Sequence, residues 1–172
     1  DGTSRIFLVI LLAVTASAAR AGQGLVTASG AAPRVAVFGI DNHGPRIGGQ
    51  KLDELTAYLE ALMLESGYRV IGHEALAGPG GEPGACDTMN CRVVRARGAN
   101  PELLLVTRVL RFSGACRLVA TVFDVDSSRP VTAATGGGDC SQKGLLDGLE
   151  QVASKLHRKR AEVTGAFRPA VE

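Results

Sequence analysis

Residues 103–126, LLLVTRVLRFSGACRLVATVFDVD, decide the fold of this chain. Two runs of about ten residues, 103–112 and 117–126, are rich in apolar and β-branched side chains, a composition typical of strands. The connection between them is only four residues long, which predicts an antiparallel hairpin. A third run, residues 131–135, follows another short loop. The three runs together predict an antiparallel meander.

The segment before this meander predicts a parallel crossover. Residues 34–40, RVAVFGI, form a short apolar run that is typical of a buried strand, and residues 68–71 form a second one. A Gly- and Pro-rich loop, residues 41–49, follows the first strand. Between the loop and the second strand, leucines recur at helical spacing and Gly67 ends the pattern, as a left-handed C-terminal residue does. A helix that joins two strands in this way predicts a right-handed crossover.

Two further helices complete the predicted order. We expect a short helix over residues 87–97, with Asp87 as N-cap and Gly98 at its end. A longer amphipathic helix closes the chain, with an apolar stripe formed by Leu145, Leu146, Leu149, Val152, Ala153 and Leu156. The order β-α-β-α-β-β-β-α predicts an α/β (α+β) fold, a single mixed sheet of about five strands with helices packed on it, over residues 34–160.

The N-terminus has the pattern of an export signal. Arg5 precedes the apolar run 6–14, and two small-residue cleavage sites follow at 16–18 and 19–21. We therefore expect a signal peptide over residues 1–21, then a flexible mature N-terminus over 22–33, and a disordered C-terminal tail over 161–172. The predicted location is periplasmic or secreted (bacterial), and the mature chain is not expected to be integral to a membrane.

Four cysteines follow the predicted leader, and export would favour their pairing. Four cysteines allow three pairings, and the sequence alone does not choose among them. If Asp126 and Pro130 flank a three-residue turn, Cys116 faces Cys140 across the hairpin. The glycine triplet 136–138 could hold a bulge that shifts this register.

The remaining pair, Cys86 and Cys91, would then bond locally at the start of the short helix. A Cys-x4-Cys zinc site completed by His73 or His157 is the alternative, although its spacing is unusual for structural zinc. A thioredoxin-like redox role lacks the tighter spacing that tunes a thiolate. We therefore predict the disulfides Cys86–Cys91 and Cys116–Cys140, and no cofactor or metal.

Two other groups of residues are candidate sites. The loop 41–49 follows a strand and precedes a helix, where phosphates often bind, so Asp41, His43 and Arg46 form a candidate ligand loop. The loop has neither a P-loop nor a dinucleotide-binding pattern. A second candidate, a basic patch for an acidic partner or anionic lipid, consists of Lys155, Arg158, Lys159 and Arg160.

Composition and motifs exclude other classes of protein. Lys and Arg number 19 against 17 Asp and Glu, a net charge of +2, so we do not expect nucleic-acid binding. The three histidines are scattered and none belongs to a Ser/His/Asp or Cys/His pattern. We therefore do not expect an enzyme.

Several segments resemble one group of bacterial proteins. These segments are residues 34–39, residues 62–71, the Cys-x4-Cys helix before Arg97-Gly98-Ala99-Asn100, and residues 118–126. The chain resembles bacterial envelope proteins with a domain like the N-terminal domain of TolB, related in fold to the curli-secretion lipoprotein CsgG. The resemblance implies a periplasmic, non-catalytic domain that contacts other proteins.

The predicted function is therefore an exported, non-catalytic interaction or binding module of the bacterial cell envelope, whose protein partner the sequence does not identify. One alternative is a small-molecule-binding domain or hydrolase that uses the loop 41–49. Another is a structural subunit that oligomerises through an exposed sheet edge.

Overall fold

A six-stranded mixed sheet with helices on both faces forms the domain. The computed structural model describes residues 32–44, 46–77, 86 and 88–165, with side chains described through residue 160. The elements are β1 (Arg34–Val37), β2 (Asp41–His43), α1 (Gly49–Glu65), β3 (Arg69–Ile71), α2 (His73–Leu76), α3 (Met89–Arg97), β4 (Leu103–Phe112), β5 (Ala115–Asp124), β6 (Pro130–Asp139) and α4 (Gln142–Gly165).

The strands of the sheet lie in the order β3-β1-β4-β5-β6. The short strand β2 is an additional neighbour of β4. Strands β3, β1 and β4 are parallel, whereas β4, β5 and β6 form an antiparallel meander. The predicted fold class, a mixed sheet with helices packed on it, is confirmed. The predicted crossover also exists, because α1 joins β1 to its parallel neighbour β3.

The predicted loop 41–49 begins as a strand, which the sequence analysis missed. Strand β2 pairs in parallel with Arg108–Leu110, further along the same side of β4 that β1 occupies at Leu103–Leu105. Its residues, Asp, Asn and His, have low strand propensity. The pairing with a long neighbouring strand, not the local sequence, therefore makes this segment extended.

The helices divide the core into two parts. One part lies between the sheet and the helices α1 and α4, and its buried members include Leu59, Met63, Leu149 and Leu156. The other lies between the sheet and the helices α2 and α3, and its buried strand members come from β1 and the first half of β4. Strand β5 contributes only the partly buried Phe123 to this second part, and β6 contributes nothing to it.

The register of the last hairpin differs from the prediction. Cys116 lies opposite Gly138, not opposite Cys140, and the register shifts between Val122 and Phe123. The predicted three-residue turn was wrong because the loop closes further back, where the Asp124 amide donates to the Arg129 carbonyl over 2.9 Å.

The glycine triplet 136–138 lies within β6 and does not form a bulge. A Cβ atom on Gly136 would overlap the carbonyl oxygen of Gly148 in α4, and one on Gly138 would lie 2.9 Å from the Gly144 carbonyl oxygen. The glycines therefore allow the backbones of α4 and β6 to approach closely. Leu145 and Leu149, which flank the two helix glycines, are fully buried by this approach.

The short helix α3 begins one residue later than predicted. Thr88 is its N-cap, and its hydroxyl accepts a hydrogen bond from the Cys91 amide over 3.3 Å. Asp87 lies outside the described residues, as do the predicted leader, residues 22–31 of the predicted flexible segment and the tail from residue 166. Helix α4 continues past residue 160, where we placed the end of the domain. Within the described ranges, no helix combines the length and the apolarity that a membrane span requires.

Candidate functional site

Asp41, the first residue of the predicted ligand loop, is held by two arginines. Its carboxylate accepts a 2.6 Å hydrogen bond from Nη2 of Arg92 on α3 and lies 3.6 Å from Nε of Arg108 on β4. The side chain of Arg92 is only 7 % exposed, and its Nε donates to the Cys86 carbonyl over 2.9 Å. The guanidinium also lies over the ring of Phe38. The buried cation is thus neutralised by the Asp41 carboxylate within the protein.

A cleft of about 280 Å³ lies beside this ion pair. It is at the carboxyl end of β1, between α1 on one face and α3 on the other, which is where α/β sheets commonly bind ligands. The polar groups of its wall bond to each other: the Ile40 amide donates to the Thr56 hydroxyl over 3.1 Å, and this hydroxyl donates to the Leu52 carbonyl. Its lining residues are Phe38, Gly39, Ile40, Asp41, Asn42, Gly49, Leu52, Asp53, Thr56, Cys86 and Arg92.

The structure does not bring the predicted ligand trio together. Asp41 lines the cleft, whereas His43 and Arg46 are exposed and do not line it. The cleft contains no pair of nucleophile and base, and within the part of the chain described, no group of three or more His, Cys, Asp or Glu is arranged to hold a metal ion. The geometry therefore gives no support to a hydrolase at this loop.

Two disulfides are present, with the pairing that we predicted. Cys86 and Cys91 have Cα atoms 5.4 Å apart, and their bond holds the start of α3 beside the cleft. Cys116 and Cys140 have Cα atoms 5.0 Å apart, and their bond ties β5 to the segment between β6 and α4. Since all four sulfurs are bonded, the alternative zinc site would lack its thiolate ligands.

The predicted basic patch is largely engaged with the protein itself. Lys155 and Lys159 donate to the carbonyl oxygens of Thr135 and Ala133, each over 2.6 Å. Gln151, one turn earlier on α4, donates to the Gly137 carbonyl. These three side chains line up along β6, the last strand of the sheet, and occupy carbonyl groups that would otherwise accept a further strand.

The other two residues of the patch differ from each other. Arg160 donates to the Gly67 carbonyl over 2.7 Å and lies over the ring of Tyr68 at 4.8 Å. Burial raises the pKa of Tyr68, and the nearby Arg160 partly opposes this effect. Arg158 is exposed. The four residues therefore do not form one free cationic surface.

An apolar surface lies on the side of the sheet that faces away from α4. Leu104 and Val106 on β4 pack against α3, and because side chains alternate along a strand, Leu110 and Phe112 share their face. Helices α2 and α3 cover only the beginning of this face. We call the remainder the open sheet face, and define it by Arg108, Leu110, Phe112, Arg117 and Val119.

The open sheet face combines exposed apolar side chains with positive charge. Phe112 is 59 % exposed, and Leu110 and Val119 are partly buried. Arg108, a residue of β4, has its guanidinium next to the Asp41 carboxylate. Arg117 is exposed on β5. No described residue covers this patch, whereas α4 seals the opposite face of the same strands.

The solved structures with a similar fold include bacterial envelope proteins. The C-terminal domain of LpoB from Escherichia coli superposes with a TM-score of 0.53 at 14% identity, over 63% of this chain and 84% of that one. Lipoprotein GNA1162 from Neisseria meningitidis gives 0.52 at 14% identity, over 81% and 99%. The sequence matches no protein-family model and no curated protein. At these identities the similarity shows the fold alone.

The expected resemblance to TolB is less specific than the sequence suggested. TolB from Acinetobacter baumannii superposes with a TM-score of 0.46 at 11% identity, over 80% of this chain and 29% of that one, which is too low to carry an argument. The chain therefore has a fold found in bacterial envelope proteins, and a specific likeness to the N-terminal domain of TolB stays a prediction.

Sequence reasoning missed Arg92 and the open sheet face. The signal for Arg92 was present, because an arginine directly before Val93 and four residues before Ala96 lies on the apolar side of a helix. The open sheet face could not be found from such spacing, because the alternation of side chains along a strand does not show how far a helix covers it.

Proposed function

We propose that this chain is an exported, non-catalytic interaction module of the bacterial cell envelope that binds a partner protein through the open sheet face. The observation that carries the proposal is the exposure of Phe112, next to the partly buried Leu110 and Val119, on a sheet whose other face is sealed. Contiguous apolar side chains on a rigid surface commonly mark protein–protein contacts.

The size and charge of this face indicate the kind of partner. Three strands about 4.8 Å apart, uncovered over roughly 14 Å between Arg108 and Phe112, give a patch of about 200 Å². A stable interface buries about 800 Å² on each partner, so contacts around the rim must supply the remainder. Arg117 is exposed on the face, and Arg108 shares the single Asp41 carboxylate with Arg92, so the charge of this region is positive. A partner with carboxylates around an apolar centre therefore fits best.

The envelope location is supported by two independent features. The N-terminal residues have the pattern of an export signal, and the chain contains two disulfides, which persist mainly in oxidising compartments. Fractionation of the source bacterium, with mass spectrometry of unreduced peptides, would test this part. A cytosolic protein with an intact N-terminus and four thiols would refute it.

Binding is tested by variants of the face compared with matched controls. Phe112→Ser and Arg117→Glu remove apolar surface and charge, whereas Leu64→Ser and Val94→Ser alter residues that are exposed to a similar degree, 56 % and 60 %, on α1 and α3. Each purified variant would be cross-linked to envelope extract and its partners quantified by mass spectrometry.

We expect a defined partner to be recovered at least tenfold less with Phe112→Ser and Arg117→Glu, and at the wild-type level with the two controls. Equal recovery with all five proteins would show that the face is not the binding surface. Oligomerisation through the β6 edge of the sheet is less favoured because Gln151, Lys155 and Lys159 occupy carbonyls of that strand. Light scattering that shows concentration-dependent assembly would support this oligomerisation instead.

A further inference from the structure

A groove runs along the outer surface between α1 and α4, separate from the open sheet face. It widens to cavities of about 630 Å³ near the start of α4 and about 260 Å³ further along, and Glu150 borders both. From Lys51 to Glu65 the two cavities together extend over about 21 Å, taken from the rise of an α-helix, and the hydrogen bond between Tyr58 and Glu150 crosses between them. This length accommodates about six residues of an extended peptide.

The floor of the groove is apolar. Leu55 is buried at its wider end, and Leu62 and Leu146 are partly buried and line its sides. Ala153 leaves room at the narrower end. An amphipathic chain could therefore lay alternate apolar side chains into this groove.

The rim of the groove is acidic. Glu54, Glu65 and Glu150 are exposed along it, and the Asp147 carboxylate is already matched by Lys143 at 2.6 Å. Among the residues that line the groove, Lys51 is the other lysine. Three carboxylates against one lysine leave a net negative rim.

Glu150 is held in place at the middle of the groove. The Tyr58 hydroxyl on α1 donates to its Oε1 over 2.7 Å, and this bond, together with the charge of the carboxylate, raises the pKa of the Tyr58 hydroxyl. One carboxylate oxygen is used by this bond. The other can accept from a ligand ammonium or guanidinium group.

We propose that the groove between α1 and α4 binds a cationic, amphipathic peptide segment of a partner protein, with its apolar side chains on Leu55, Leu62 and Leu146 and its basic groups on Glu54, Glu65 and Glu150. This surface is distinct from the open sheet face and recognises the opposite charge. The domain would therefore hold two different protein segments on two sides.

Fluorescence anisotropy with synthetic probes tests this proposal. The probe is a fluorescein-labelled hexapeptide of alternating lysine and leucine, and its counterpart replaces each lysine by glutamate. We expect the cationic peptide to bind, the acidic one not to bind, and the affinity to fall several-fold between 50 and about 200 mM salt because surface charges are screened.

Matched charge changes locate the site. Glu150→Lys is expected to weaken binding at least tenfold and Glu150→Gln about threefold, whereas Glu74→Lys makes the same charge change at an exposed residue of α2 and should leave binding within twofold. Phe112→Ser should also leave it unchanged, so failure here is distinguishable from failure of the proposed function.

Three results would overturn the proposal. One is the absence of binding by the cationic peptide at 1 mM protein, and another is equal weakening by Glu74→Lys and Glu150→Lys. The third is self-association in light scattering that Glu150→Lys abolishes, which would assign the groove to a second copy of this chain. Circular dichroism of each variant confirms that it is folded.

Discussion

The close approach of α4 to β6 makes a quantitative prediction for Gly136→Ala. The new Cβ would overlap the Gly148 carbonyl oxygen and lie 2.8 Å from its carbon. Carbon atoms in van der Waals contact are about 3.5 to 4.0 Å apart. Since the obstacle is backbone and cannot rotate away, the helix must withdraw from the sheet by about 0.7 Å or more.

The cost of this movement follows from what α4 buries. Leu145, Leu149, Val152 and Leu156 are at most 1 % exposed, and their contacts with the sheet loosen together when the helix withdraws. Overpacking of this kind costs about 1 to 3 kcal/mol. Alanine is intrinsically better than glycine in a strand by about 0.5 to 1 kcal/mol, which opposes the loss. We expect a net destabilisation of about 1 kcal/mol.

Urea denaturation of the oxidised protein, followed by circular dichroism, measures this value. Gly49→Ala is the control, because nothing lies within 4 Å of its Cβ position in the first turn of α1; we expect it to be neutral or stabilising by up to about 1 kcal/mol. If Gly136→Ala unfolded within 0.5 kcal/mol of wild type, the glycine contact would not determine the packing of α4.

Three further predictions concern stability. Replacing Cys116 and Cys140 by serine should lower the free energy of unfolding by about 3 kcal/mol, the loop-closure value for their separation of 24 residues, in the same urea assay. Arg92→Met should cost about 2 kcal/mol, because it removes the shorter and more buried of the two ion pairs of the Asp41 carboxylate and leaves only Arg108 beside it, and an unchanged denaturation midpoint would contradict this. Hydrogen bonds from Ser hydroxyl and backbone groups lower the pKa of Asp124 and Asp139 below 3.8. The two carboxylates therefore contribute their full stabilisation of the folded protein above this pH, and this stabilisation is lost as the pH falls through their lower pKa values in the folded state. A variant with Asn at both positions should show a flatter pH dependence of the melting temperature below about pH 4.

Most of the fold could be predicted because the spacing of apolar side chains along the chain agrees with the helices and strands that form. Strand β4 has the predicted bounds, and α1 and α4 lie where the leucine spacing indicates helices. The pairing of the cysteines also agrees, although the register used for Cys116 and Cys140 was wrong by two residues. A disulfide tolerates this offset, because Cα atoms 5.0 Å apart are within its reach.

The candidate sites were predicted less well, for a physical reason. The trio Asp41, His43 and Arg46 was proposed because the residues are close in sequence. In the structure β2 pairing with β4 exposes His43, while Arg92, distant in sequence, pairs with Asp41. A site depends on which helices and strands pack together. The closeness of residues in the sequence does not show this.

By itself, the sequence determined most of the elements and their kinds, an N-terminal pattern typical of an export signal and a set of four cysteines, whereas it predicted neither β2 nor the short helix α2. These properties depend on side-chain periodicity and composition within short windows. The tertiary structure alone decided that β2 is a strand, that the glycines of β6 lie against those of α4, and that the open sheet face lacks a covering helix. Such features arise from backbone pairing and packing between segments far apart in the chain, and no local pattern of side chains encodes the distance between them.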